Sequence, residues 1–117
     1  MKEKEFKHLV ELGHHAQEKM NTYLLYADTM DNYVKQHSAI DPKTDNVVMR
    51  MLLDSHRKVI LEIITILEET ERCINEYETD VDSRINKLSF VHPFLEKFKK
   101  DYELNMKVLS QILDKVE

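Results

Sequence analysis

Apolar and small residues recur in alternating steps of three and four from Phe6 onward: Leu9, Gly13, Ala16, Met20, Tyr23, Ala27, Met30, Val34 and His37. That spacing is the seam of a long amphipathic helix, predicted over about residues 3–37. Glycine inside a helix costs about 1 kcal/mol relative to alanine, so Gly13 implies a packing reason, the close approach of a neighbouring backbone. The stretch HSAIDPKTDN breaks the pattern. Asp41-Pro42 signals a turn, and Thr44 or Asp45 can cap the next helix. A second seam then runs through Val48, Leu52, Ser55, Val59, Ile63, Ile66, Thr70, Cys73, Tyr77, Val81, Ile85 and Leu88.

The phase of this seam survives Thr79-Asp80 and Asp82-Ser83, so two divisions compete. The second helix continues to about residue 90, or it stops near 80 and a third begins at Asp82 or Ser83. Pro93 favours the first division. A helix starting at 82 would hold that proline in its interior at about 3 kcal/mol, whereas a proline at the first helical position costs little. The expectation is therefore three helices over about 3–37, 45–90 and 93–116, the last with the seam Leu95, Phe98, Tyr102, Met106, Leu109, Leu113 and Val116.

Residues 51–67, MLLDSHRKVILEIITIL, are unusually apolar, with ten of seventeen positions hydrophobic. On a helical wheel the apolar sector of the second helix spans roughly 200°, about twice the stripe of an ordinary surface helix. Such a helix needs two neighbours. The first helix, folded back antiparallel, supplies one. A third helix beginning at 93 is too short to supply the other along the whole length. Met49, Leu53, Ile60, Ile64 and Leu67 would then remain uncovered, which implies a second chain there: a symmetric dimer completing a larger bundle, or a foreign helix. The alternative is a third helix that begins earlier and covers this face itself.

Composition agrees with an all-α chain forming one helical-bundle domain over 1–117. One glycine and two prolines leave few turns, and 33% charged with 42% hydrophobic residues suits a bundle or coiled coil. A single cysteine, Cys73, excludes an internal disulfide and reads as a small buried hydrophobe. The net charge of −5 argues against nucleic acid as a partner. No apolar run reaches the roughly 18 residues of a membrane span, and MKEKEFKH has no signal-peptide core, so a cytoplasmic location is expected.

Chemistry is sparse. His56 falls inside the apolar sector opposite Tyr23, Tyr26 and Ala27, where a hydrogen bond to a tyrosine hydroxyl would satisfy it. Asp54-Ser55-His56-Arg57 resembles the start of the phosphoacceptor helix in histidine-kinase dimerisation domains, with Arg57 where an acidic residue is expected. Arg50 and His56 have a spacing similar to that of a family of helical RNases, with Met51 in place of the usual polar residue. Di-iron bundles need two E-x-x-H motifs and two further glutamates, and the chain has one such motif, at Glu11 and His14. No metal site or cofactor is assigned on this basis. The rival reading is a metal-binding or catalytic four-helix bundle that draws ligands from His8, Glu11, His14, His15 and His56.

Charge patterning adds an acidic stretch from 62 to 82 that includes Glu68, Glu69 and Glu76, against one base, Arg72. It is either a solvated face, partly neutralised by Lys97, Lys99, Lys100 and Lys107, or a docking face for a basic partner. The flank of the first helix carrying His8, His15, Tyr26, Tyr33 and His37 is a third surface suited to contacts. The functional expectation is a non-enzymatic helical protein–protein interaction module of adaptor, chaperone, immunity or inhibitor type. Its partner is another protein or a second copy of itself, met through the apolar face of the second helix and the acidic surface.

Overall fold

The computed structural model describes the backbone of residues 1–36 and 42–116 and the side chains of 1–36 and 47–111. Three helices run α1 (Glu3–Gln36), α2 (Pro42–Tyr77) and α3 (Val81–Val116). They lie side by side in an elongated body of 57 × 21 × 17 Å. This is an all-α, antiparallel three-helix arrangement with α2 in the centre. Both α1 and α3 pack on α2, and no described Cα of α1 lies within 8 Å of one in α3.

α1 has the expected span. α2 starts earlier than expected, with Pro42 at its first position, where the missing N–H loses nothing. The predicted caps Thr44 and Asp45, and the seam residues His37, Leu113 and Val116, lie outside the described side chains. The large difference is at the second corner: α2 ends at Tyr77, and α3 begins at Val81 rather than 93. The start is set by Asp80, whose carboxylate accepts the backbone N–H of Ser83 at 2.9 Å, while its carbonyl accepts that of Arg84 at 2.9 Å. That is an N-cap. Glu78, buried in the corner, pairs with Lys87 in the second turn of α3 and fastens the link.

Pro93 therefore sits inside α3. Its ring removes the donor that the Ser89 carbonyl would use, but both residues are exposed, so water can serve that carbonyl. The extra helix also lets Leu88 and Val91 pack in the bundle, and each such side chain recovers up to about 1.5–3 kcal/mol. Packing outweighs the proline.

Extending α3 back to Val81 completes the cover of α2. Asn105 lies opposite Leu53 and His92 opposite Glu71, so α3 follows α2 along its described length. The core consists of Ala16 from α1, Leu95 and Phe98 from α3, and Val59, Ile60, Ile63, Ile64 and Leu67 from α2. The wide apolar sector does have two neighbours, and both belong to this chain. Leu53, Ile60, Ile64 and Leu67 are buried and Met49 is half-buried, which corrects the expectation of an uncovered face. Gly13 is a second correction. A Cβ there would meet nothing within 4 Å, so no close backbone approach explains it. Among the described residues, no helix is long and apolar enough to cross a membrane.

Candidate functional site

Because the described backbones of α1 and α3 stay apart, a furrow runs between them over α2. At the end where α1 begins and α2 finishes it opens into an apolar cleft of about 400 Å³. Phe6 and Val10 form one wall, Phe90 and Val91 the other, and Thr70 and Ile74 the floor. Two of the polar groups around it are engaged elsewhere. The Thr70 hydroxyl donates to the carbonyl of Ile66 at 2.8 Å and so leaves its methyl group for the cleft, and the Lys87 ammonium is drawn to Glu78. Phe6 is 61% exposed and Phe90 73%, with the Phe94 ring 5.9 Å from that of Phe90. Phe6 was expected on the seam against α2. Phe90 and Phe94 carried no expectation, although their spacing of four matches that of Phe6 and Val10.

Farther along, the furrow is bridged by a polar cluster. Tyr23 donates its hydroxyl to Asp101 Oδ2 at 2.5 Å, and Lys97 Nζ donates to the same oxygen at 2.9 Å. The Lys97 ammonium also lies 4.5 Å from the centre of the Phe98 ring, a cation–π contact. Beneath them His56 stacks against Tyr23, with ring centroids 4.7 Å apart. The facing of His56 and Tyr23 is as expected, but the tyrosine hydroxyl serves Asp101 instead. His56 Nε2 is buried with no hydrogen-bond partner among the described residues, and so is Asn105 Oδ1. Asn105 Nδ2 donates to the Leu53 carbonyl at 3.0 Å. Both unpaired atoms belong to residues lining a small cavity of about 180 Å³.

The environment sets the titration of this cluster. Burial pushes the His56 imidazole below its ordinary value, and burial followed by the bond to the Asp101 carboxylate raises the Tyr23 phenol. His56 is thus a neutral ring, 8% exposed, under a tyrosine. Presenting Nε2 to a phosphoryl donor or to RNA would require the bundle to open, whereas Arg50 is exposed.

Several acids of the stretch are paired, though not by the lysines expected. Glu69 and Glu76 are both held by Arg72, Glu62 pairs with Lys19 at 2.5 Å, and Glu71 meets His92 at 3.0 Å. Glu68 is exposed. Tyr26 is half-buried against the core and Tyr33 half-buried farther along α1. The expected partner-facing residues are therefore dispersed among core, ion pairs and surface and do not form one face.

Of the five metal-ligand candidates, His8 alone joins a cluster among the described residues, and its companions were not anticipated. His8 of α1 meets Glu69 and Cys73 of α2, with one donor atom from each lying within 4.8 Å of the others. Arg72 holds the Glu69 carboxylate down at about 2, and burial raises the fully buried Cys73 thiol above its ordinary value. Glu11, His14 and His15 are exposed on α1.

No family model, no curated protein and no solved structure matches the chain.

Proposed function

We propose that this protein is a non-enzymatic interaction module that receives an amphipathic helix of another protein in the open end of the furrow between α1 and α3, short of the Tyr23–Asp101 bridge. The observation that carries this reading is the cleft bounded by Phe6 and Phe90, two aromatic side chains exposed beside a buried apolar floor. Exposed apolar patches of this kind mark interaction sites in soluble proteins. The occupant is a helix because the cleft lies between two helices, α1 and α3, that both pack on a third and leave its apolar floor open. Packed helices lie about 8–10 Å apart, so a fourth helix seated there would touch all three. Its anchors would be large apolar residues spaced three and four apart, since the cleft offers few polar groups to read.

The site of docking thus moves from the apolar face of α2 to the α1–α3 furrow. The burial of His56 withholds the one histidine inside the apolar sector from the cleft's surface.

The test is a display selection of amphipathic helical peptides against the folded protein, with binders mapped by NMR chemical shifts. Shifts concentrated at Phe6, Val10, Phe90 and Val91, abolished by Phe90→Asp in a protein that melts normally, are the expected result. Binders that map elsewhere, or none at all, would overturn it. A dimer in sedimentation that Phe90→Asp dissolves would make the occupant a second copy and refute the foreign helix.

A further inference from the structure

We propose that His8, Glu69 and Cys73 form a binding site for a zinc-like divalent transition-metal ion, on the side of the α1–α2 interface away from the cleft. Glu69 and Cys73 are four residues apart on α2 and so project from one face, and His8 reaches them from the start of α1. One nitrogen, one oxygen and one sulfur donor already lie within 4.8 Å of one another. Bonds of about 2.0–2.3 Å to a tetrahedral ion put its ligands roughly 3.5 Å apart, so the three donors need to close by about 1 Å. His8 and Glu69 are half-exposed and can turn, while Cys73 is fixed in the core. A mixed sulfur, nitrogen and oxygen set selects zinc-like ions over magnesium or calcium, which take oxygen alone.

Arg72 shows that the place suits a cation. Its guanidinium holds the Glu69 carboxylate and lies 3.7 Å from Cys73 Sγ. It also pairs with Glu76 at 2.7 Å, so it keeps a partner when it releases Glu69. Metal entry is then an exchange. The guanidinium withdraws to Glu76, the Cys73 S–H bond breaks with its proton going to solvent, and a sulfur–metal bond forms. Water takes the fourth position, and affinity rises with pH because the thiol must ionise.

The experiment is titration of Co²⁺ into untagged, chelator-stripped protein, followed by its visible ligand-field bands and its ultraviolet thiolate-to-cobalt band. One ion per chain, displaced by Zn²⁺, is expected. His8→Ala and Glu69→Gln should each weaken binding by more than about tenfold, since even outer-shell partners are worth about 10–100-fold. Cys73→Ser should remove the thiolate band. Arg72→Ala should tighten binding, a result that a merely structural cluster would not give. The His8 and Glu69 variants change half-exposed side chains and keep the fold, which circular dichroism verifies. Absence of one-to-one binding, a missing thiolate band, or indifference to His8→Ala refutes the site. None of these outcomes bears on the cleft.

Discussion

The Tyr23 hydroxyl donates to Asp101 Oδ2 across 78 residues of sequence and joins α1 directly to α3 over the top of α2. Two helices whose described backbones approach only their common neighbour are tied at this point. Hydrogen bonds to a charged acceptor contribute about 1.5–3 kcal/mol, and partial exposure with Lys97 as a competing partner lowers that. Tyr23→Phe should therefore destabilise the protein by about 1 kcal/mol in urea unfolding. The raised phenol adds a pH signature. A group whose folded pKa exceeds its unfolded value stabilises fully below the unfolded value, near pH 10, and loses that contribution as pH rises through the folded one. Wild type should accordingly lose stability in strong alkali relative to the phenylalanine variant.

His56 titrates in the opposite sense. Its folded pKa is depressed by burial, so the stability it contributes is present above the unfolded value near 6.5 and is lost as pH falls toward the folded one. His56→Phe keeps a ring against Tyr23, removes the unpaired Nε2, and has a small cavity beside it for the larger side chain. An unsatisfied buried polar atom costs about 1–3 kcal/mol, so the variant should be more stable by about 1 kcal/mol at pH 7 and by more at pH 5. Urea midpoints at the two pH values measure both. A gap that narrows on acidification would contradict the buried, neutral histidine.

At the second corner, two substitutions distinguish a helix that starts at Val81 from one that starts at Pro93. Asp80→Ala removes the cap on Ser83 and should cost about 1 kcal/mol. Pro93→Ala restores a missing interior donor and should stabilise by about 1–2 kcal/mol, less than the full interior penalty because the proline also restricts the unfolded chain. Were Pro93 at a helix start, both changes would be close to neutral. Paired thermal and urea unfolding of the two variants decides.

Gly13 has open space where a Cβ would stand. Gly13→Ala should therefore stabilise by about 1 kcal/mol through helix propensity and the unfolded chain's reduced freedom, raising the melting temperature by about 4 °C for a domain of this size. A destabilised variant would mean that the α1 surface at this level is packed against something.

Much of the architecture is written in local pattern. The three-and-four spacing delimits α1, and the apolar width of α2 demands two neighbours. An antiparallel hairpin at the first corner places His56 against Tyr23 by residue register alone. These features follow from 3.6-residue periodicity and the burial of apolar surface, which any window of sequence displays. The start of α3 was less legible. Asp80 and Pro93 offer competing local signals of comparable size, and only the apolar surface gained along α2 decides between them.

The candidate sites lie further still from what periodicity can state. Phe6 and Phe90, or His8 and Cys73, come together only when the rotation of each outer helix about its own axis is fixed. Periodicity determined that this chain is a bundle of long helices around a greasy central one. Tertiary packing decided where the last helix begins, which apolar residues are left over for a partner, and which nitrogen, oxygen and sulfur atoms converge. Those outcomes depend on side chains distant in sequence meeting in space.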